Sequence, residues 1–210
     1  LNMLNLAQIP LKSSDRESLT PLICVGGPCA CNPEPITDFV DIVFLGDGEE
    51  TTNQIIDLLI KAKKNGMSKH EFLLKAKDIT GIYVPSFYKD SYNDDGTLKS
   101  LEPLYDAPKK VKKAVVSDMN SVYYPKEFVV PYINIVHDRA VEEIFRGCIR
   151  GCRFCQAGFI YRPIREKSVE TINKQSKALI ESTGYDELSL CSLSTSDHSE
   201  VNKMLTSLID

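Results

Sequence analysis

In the first 80 residues, short apolar runs alternate with amphipathic stretches. Residues 22–25 and 41–45 are mainly apolar, and each run is followed by a turn that contains glycine. Runs of this length before a turn predict buried strands. Two helices are predicted next, because apolar residues recur at helical spacing in 50–64 and again after Ser68, a favoured N-cap residue. This order of elements predicts part of an open α/β sheet.

The pattern changes after this point. Apolar residues in 82–88 and 98–104 flank the segment 93–96, Asn-Asp-Asp-Gly, which is a strong turn signal and predicts a β-hairpin. Three prolines and the basic run 109–113 then interrupt any regular pattern in 105–131. We expect 105–131 to be a linker whose basic run is solvated.

In the last third of the chain, apolar residues indicate extended chain that leads into a cysteine-rich loop at 146–155. A helix is predicted from Ser168, its N-cap, to Gly184, because glycine commonly follows the end of a helix. Residues 188–193 predict the next strand, with leucines and Cys191 in its core, and 199–208 predict a further helix. Together these elements make two βα units.

Composition and charge are those of an ordinary globular protein, with 42% hydrophobic and 26% charged residues and a net charge of −4. This charge gives no global nucleic-acid footprint. No apolar run approaches the roughly 18 residues that span a bilayer, and no signal peptide is visible, so no membrane partner is predicted. Because the chain begins at Leu1 rather than methionine, we expect an internal fragment.

The densest group of cysteines is a C-x3-C-x2-C motif formed by Cys148, Cys152 and Cys155. Three thiolates so close together suit a soft metal centre. A 4Fe-4S cluster has four irons and is normally held by four cysteines, so three local ligands leave one iron open. Free thiols beside such a motif fit a reducing cytosol, and a cytoplasmic location is predicted.

Two alternatives compete with this interpretation of the motif. The cysteine spacing would also place all three side chains on one helical face, although Gly147 and Gly151 disfavour a helix. Zinc is the second alternative, and a structural zinc site needs four ligands. His137 and the distant Cys191 are the candidates for the fourth zinc ligand.

The segment 146–155, with Arg146-Gly147 before the first cysteine and Phe154 before the third, resembles the cluster loop of radical S-adenosylmethionine (SAM) enzymes. The resemblance implies that the open iron binds the amino and carboxylate groups of SAM. It implies further that the reduced cluster cleaves SAM to methionine and a 5′-deoxyadenosyl radical, which takes a hydrogen atom from the substrate. The electron donor would be of the flavodoxin or ferredoxin type.

The phrase 143–148, Glu-Ile-Phe-Arg-Gly-Cys, is similar to the group that contains the tRNA methylthiotransferases and the cobalamin-domain radical SAM proteins. This resemblance makes RNA modification a candidate function, with the substrate itself unknown. The resemblance of 146–155 to the radical SAM cluster loop implies that Phe154 contacts the adenine of SAM; simple packing under the loop is the alternative for this ring.

Ser192, Ser194 and Thr195 stand where many radical SAM enzymes have a Gly-Gly-Glu motif that holds the amino group of SAM. The residues depart from that motif, but hydroxyl oxygens can still accept hydrogen bonds from an ammonium group. Helix capping is the alternative role for them. No catalytic residue is predicted.

The N-terminal part resembles the end of a cobalamin-binding-type Rossmann domain, above all in 26–35 and 46–49. The corrinoid-ligating histidine motif of that fold is missing, since His70, His137 and His198 lie in no matching context. Cobalamin binding and a scaffold without cofactor both stay open. A looser cysteine set without a nearby fourth ligand argues against a second metal site; it consists of Cys24, Cys29 and Cys31.

These interpretations combine into an α/β fold of two parts. Residues 1–80 are predicted as the C-terminal part of the Rossmann-like domain, 81–131 as hairpin and linker, and 132–210 as the first βα units of a partial TIM-type radical SAM barrel. The predicted parent is a radical SAM enzyme, with the fragment alone inactive. The alternative is a zinc-stabilised or corrinoid-binding module without radical chemistry.

Overall fold

The computed structural model describes residues 1–125, 127–133 and 135–209. Lys126, within the predicted linker, and Asn134 and Asp210, within the predicted barrel part, lie outside the described residues. The chain divides into two compact units, Leu1–Val115 and Val116–Asp210, called unit 1 and unit 2 below.

Unit 1 contains a three-stranded sheet, helices and a separate hairpin. Its elements are, in chain order, α1 (Asn2–Leu6), β1 (Cys24–Val25), β2 (Ile42–Phe44), α2 (Glu49–Lys64), α3 (Lys69–Ala76), β3 (Ile82–Tyr83), β4 (Tyr88–Tyr92) and β5 (Leu98–Pro103). The sheet order is β1-β2-β3, with β1 parallel and β3 antiparallel to β2. The turn that follows β1 therefore lies at the carboxyl edge of the β1–β2 pair.

The central strand β2 carries the core of unit 1, because neighbours cover it on both sides. Ile42 and Val43 are completely buried, and Ile42 packs in one cluster with Phe72 of α3 and Ala62 of α2. The predicted cap of α3 is confirmed: the Glu71 N–H donates to Ser68 Oγ at 3.2 Å, and the Ser68 N–H donates to the Glu71 carboxylate at 2.7 Å. This reciprocal pair satisfies two amides that the first helical turn leaves open.

Two expectations for unit 1 need correction. Cys24 was expected in a buried strand, but it is exposed, because β1 is an edge strand of only two residues. Ile82–Tyr83 was expected in the hairpin, but it pairs with β2 in the sheet. The hairpin itself is formed by β4 and β5 around the predicted turn.

Unit 2 contains one parallel strand pair, a short antiparallel pair and three helices. Its elements are, in chain order, β6 (Ala140–Glu143), β7 (Phe145–Arg146), α4 (Ala157–Ile160), β8 (Arg165–Glu166), α5 (Val169–Thr183), β9 (Leu188–Cys191) and α6 (Val201–Ile209). β6 and β9 are parallel, with Ala140 opposite Leu188 and Glu143 opposite Cys191. The intervening helix α5 lies against β6, so this is the βαβ arrangement that the pattern predicts.

The helix α5 forms as its sequence predicts. The Thr171 N–H donates to Ser168 Oγ at 3.2 Å, and Gly184 ends the helix with a φ of 71°, in the left-handed region. The predicted stripe is buried and comprises Val169, Ile172, Ser176 and Leu179. Two strand expectations were wrong: Leu193 lies beyond β9 and is half exposed, and Cys191, expected in the core, is exposed at the end of β9.

The predicted fold class is confirmed at the level of mixed α/β structure. Small sheets and helices are compatible with part of a Rossmann-like domain followed by part of a radical-SAM-type fold. The described residues form no closed barrel. Of the helices in that part of the chain, none combines the length and the apolar character needed to cross a membrane.

Candidate metal centre

The cysteine-rich loop of unit 2 lies beyond the carboxyl end of β6. β7 pairs with β8, with Arg146 opposite Arg165, so these two short strands join the ends of the segment 147–164, which contains the loop. Gly147 has a φ of 93°, and a Cβ at this position would lie 2.7 Å from the Pro163 carbonyl oxygen. Only glycine permits both this backbone conformation and this close approach.

The three motif cysteines lie on this loop as free thiols. Cys148 and Cys155 are half-buried and Cys152 is exposed, and none of the three belongs to a helix. The helical alternative for the motif is therefore wrong. The Arg150 N–H lies 3.4 Å from Cys148 Sγ, where it donates a hydrogen bond to the sulfur. The Cys155 N–H donates to the Cys152 carbonyl oxygen at 3.1 Å, which turns the chain between these two cysteines.

The donor set fits an iron–sulfur cluster better than it fits zinc. Three thiols on an irregular, accessible loop are the soft ligands that such a cluster uses. Within 1–125, 127–133 and 135–209, no three or more cysteine, histidine, aspartate or glutamate side chains already stand together as a metal site. Binding of a cluster or of zinc would therefore require the loop to draw its sulfurs together.

Arginine side chains brace the base of the loop. Arg146 donates to both carboxylate oxygens of Glu143, at 2.8 and 3.0 Å. Arg165 is only 8% exposed, and it donates to the carbonyl oxygens of Tyr161 and Pro163 at 3.2 and 3.0 Å. The Arg162 guanidinium lies over the exposed ring of Phe159, 5.4 Å from its centroid. Each of these contacts is local to one end of the segment 147–164, and the pairing of β7 with β8 is what joins the two ends.

The structure puts Phe154 on the open surface of the loop. Its side chain is 92% exposed. The ring is therefore not packed under the loop, and it is accessible to a planar ligand.

The three hydroxyl-bearing residues predicted to contact SAM follow β9; they are Ser192, Ser194 and Thr195. Because β6 and β9 are parallel, the loops after them meet at the same edge of the sheet. Ser192 Oγ and Thr195 Oγ1 are 3.0 Å apart, and Ser194 Oγ donates to the Asp197 carboxylate at 2.7 Å. The Ser194 side chain does not cap the short 3-10 turn Thr195–Asp197 that follows it.

One contact at this edge was missed by sequence reasoning. The Arg150 guanidinium binds the Asp197 carboxylate with two hydrogen bonds, one of them from Nε to Oδ2 at 2.8 Å. The hydrogen bonds from Arg150 and Ser194 hold the pKa of Asp197 below its usual range. The two partners are 47 positions apart in the chain, so no local pattern connects them.

A buried polar group links β6 to α5 and to the residue just before its N-cap. Lys167 Nζ donates to Glu142 Oε1 at 2.8 Å and to Gln175 Oε1 at 2.7 Å. Burial raises the pKa of Glu142, and the Lys167 ammonium offsets this only in part. His198 contacts the Lys167 carbonyl oxygen through Nε2 at 3.1 Å, and its Nδ1 accepts the Glu200 N–H at 3.1 Å. With both ring nitrogens engaged, His198 is a structural residue.

Comparison with known proteins adds a finding from the other unit. Residues 1–85 match the family model described as "Radical SAM proteins, N-terminal". The match supports the radical SAM superfamily. An uncharacterized protein of Methanocaldococcus jannaschii is similar to the chain, with 24% identity over 201 residues, or 95% of this chain and 38% of the relative. The chain therefore spans well under half the length of this relative.

Within the described residues, the cysteines and the histidine of unit 1 form no group that could hold a metal ion. Its exposed cysteines, free thiols around the turn after β1, are Cys24, Cys29 and Cys31. Its histidine, His70, packs edge-on against two aromatic rings, with centroids 5.7 Å from Phe87 and 5.0 Å from Tyr105. Such packing is a structural role for this histidine.

Unit 1 also contains a cavity of about 940 Å³. Tyr83 and Tyr88 line it with their rings 4.8 Å apart, and the Tyr83 hydroxyl donates to Glu34 Oε1 at 2.9 Å. Burial and this hydrogen bond raise the pKa of Tyr83. None of the predicted site residues lines the cavity.

Proposed function

We propose that this chain is part of a radical SAM enzyme whose cluster loop is Cys148–Cys155. Cys148, Cys152 and Cys155 would hold a 4Fe-4S cluster and leave one iron for SAM. The observation that carries the proposal is the position of three free thiols on one loop at the carboxyl end of β6. When reduced, the cluster would supply the electron that cleaves SAM to methionine and a 5′-deoxyadenosyl radical.

The other predicted residues have proposed roles in holding SAM. The exposed ring of Phe154 is accessible for stacking on the adenine. Ser192, Ser194 and Thr195 would accept hydrogen bonds from the SAM ammonium, because their hydroxyls follow β9 at the edge where the loop begins. A hydroxyl group is a neutral acceptor, so these residues would orient the ammonium rather than neutralise it.

The proposal includes partners that the whole protein would need. An external one-electron donor of the flavodoxin or ferredoxin type would reduce the cluster. RNA is the substrate class that we propose, from the resemblance of 143–148 to the methylthiotransferases. We expect the chain by itself not to turn SAM over, because the two-stranded pair β6–β9 leaves a radical open to solvent.

Anaerobic reconstitution with iron and sulfide tests the assignment of the ligands. The chain should bind about four irons and about four sulfides. Replacing Cys148, Cys152 and Cys155 together by alanine should abolish this binding. The chain offers a matched control of three other exposed thiols, and the control variant replaces Cys24, Cys29 and Cys31 by alanine.

The control variant should keep the full iron and sulfide content. Full content in the Cys148, Cys152 and Cys155 variant would refute the assignment. A colourless protein that binds zinc in place of iron would favour the zinc alternative.

A further inference from the structure

Two arginine–carboxylate pairs link the segments next to β6 with the segments next to β9. At the amino ends of these strands, Arg139 Nη1 lies 2.9 Å from Glu187 Oε1. At the carboxyl ends, Arg150 of the cluster loop binds Asp197 of the turn after β9. The chain thus contains the same kind of contact at both edges of one sheet, but only the second pair lies at the candidate metal centre.

The pair at the carboxyl edge is integrated with the loop. Arg150 lies between the first two motif cysteines, and its own N–H donates to Cys148 Sγ at 3.4 Å. The Asp197 side chain is only 10% exposed and also accepts a hydrogen bond from Ser194 Oγ at 2.7 Å. A single residue, Arg150, therefore connects a cysteine sulfur to the turn that carries the predicted hydroxyl groups.

We propose that Arg150 and Asp197 are positioning residues that keep the cluster loop in a fixed relation to the turn 192–197. This inference rests on the proposed function. Two parallel hydrogen bonds between a guanidinium and a carboxylate fix orientation as well as distance. Correct orientation matters here because SAM would have to contact the open iron at one end and the hydroxyls of the turn at the other.

The pair positions the loop without ligating metal, which separates its effect from that of the cysteines. Asp197→Asn weakens the contact by removing the charge, while the three thiols stay in place. Iron and sulfide content should therefore be unchanged. The SAM concentration for half-saturation should rise about tenfold, within the usual range for coupled contacts.

The experiment compares the chain with Asp197→Asn and with Glu187→Gln, which breaks the matched pair at the opposite edge. Hydrogen exchange on the metal-free chain is the first readout. Asp197→Asn should speed exchange in 148–156 about tenfold, and Glu187→Gln should leave these amides unchanged. This readout needs no cluster, so it judges the positioning contact even if the proposed function fails.

The second readout is the response of the reduced cluster's electron paramagnetic resonance signal to added SAM. Asp197→Asn should shift the half-saturation, Glu187→Gln should not, and the exchanged pair Arg150→Asp with Asp197→Arg should recover part of the loss. Unchanged loop exchange in Asp197→Asn, or equal effects of both single variants, would overturn the positioning role. Absence of iron from the unaltered chain would instead refute the proposed function.

Discussion

Asp41 in unit 1 and Glu142 in unit 2 are both almost completely buried, with 1% and 0% exposure, and each lies beside a lysine ammonium. Lys69 Nζ is 2.6 Å from Asp41 Oδ1, and Lys167 Nζ is 2.8 Å from Glu142 Oε1. The two carboxylates nevertheless have pKa shifts of opposite sign. Burial and a neighbouring cation are common to both, so a further difference must decide the sign.

Asp41 is surrounded by donors. The Ile23 N–H and Arg16 Nη2 both donate to Oδ2, at 2.7 and 3.1 Å, and Ser13 Oγ joins Lys69 at Oδ1. Burial alone would raise the pKa of Asp41, but the hydrogen bond from Ile23 and those from Lys69 and Ser13 outweigh it and lower the pKa. The charged form is therefore the one that unit 1 stabilises.

Glu142 has one satisfied oxygen. Lys167 donates to Oε1, whereas Oε2 accepts no hydrogen bond within the described residues. Burial raises the pKa of Glu142, and the hydrogen bonds from Lys167 and Tyr124 lower it by less. The comparison teaches that the number of donors around a buried carboxylate, rather than its burial, decides which protonation state the fold favours.

The largest difference between the two sites should appear on neutralising each carboxylate. Asp41→Asn should cost about 3–5 kcal/mol, because Arg16 and Lys69 stay buried without their counter-charge. Glu142→Gln should cost about 1 kcal/mol, because burial already disfavours the charged form of this carboxyl group, whereas the surroundings of Asp41 favour it. Urea unfolding of both variants measures the losses. Equal losses would mean that the donor count does not distinguish the two sites.

Two glycines sharpen the comparison at the level of the backbone. Gly27 in unit 1 and Gly147 in unit 2 have almost the same φ, 92° and 93°. A Cβ on Gly27 would meet nothing within 4 Å, whereas one on Gly147 would collide with the backbone of Pro163 and Ile164.

Gly147→Ala should therefore cost about 3 kcal/mol and disturb the cluster loop, while Gly27→Ala should cost about 1 kcal/mol for backbone strain alone. Urea unfolding gives the two costs, and iron content after reconstitution reports the effect on the loop. A larger cost for Gly27→Ala would contradict the close approach at Gly147.

Lowering the pH should change the stability of the two units differently, and this effect should be smaller. The folded pKa of Asp41 is lowered, so its contribution is present above the unfolded carboxyl value of about 4 and is lost as pH falls through the folded pKa. The folded pKa of Glu142 is raised, so its contribution is full below about 4 and is lost as pH rises through the folded pKa.

Acidification from pH 7 towards the unfolded carboxyl value of about 4 should thus strengthen unit 2 through Glu142, whereas the Asp41 contribution in unit 1 is lost only below that value. Hydrogen exchange of β2 and β6 amides at several pH values reports the two units separately. Glu142→Gln is the control that should remove the gain in β6. A gain that persists in this variant would assign the effect to another group.

The smallest effects should be equal in the two units. Ser68 and Ser168 each accept an N–H of the first helical turn at 3.2 Å. Ser68→Ala and Ser168→Ala should each cost about 1 kcal/mol, because an N-cap depends on residues three positions away rather than on tertiary structure. Urea unfolding checks both variants, and a difference of more than about 1 kcal/mol would show that tertiary contacts contribute to one cap.

Local patterns predicted most of the helices and the loop. Ser68, Ser168 and Gly184 end or begin helices as expected, and the buried stripe of α5 is the predicted one. Strands were harder to predict, because pairing partners lie far apart in the chain. Ile82–Tyr83 joined the sheet through β2, and the edge position of β1 left Cys24 exposed.

For the candidate site, the sequence by itself determined the three cysteines, the glycine before them and the resemblance to radical SAM enzymes, since these depend on spacing along a short segment. Only the tertiary structure paired Arg150 with Asp197 and placed Glu142 beside Lys167. These contacts depend on the parallel pairing of β6 with β9 and on the packing of α5. The sequence around a charged residue does not identify its partner, because the fold determines which distant residue lies beside it.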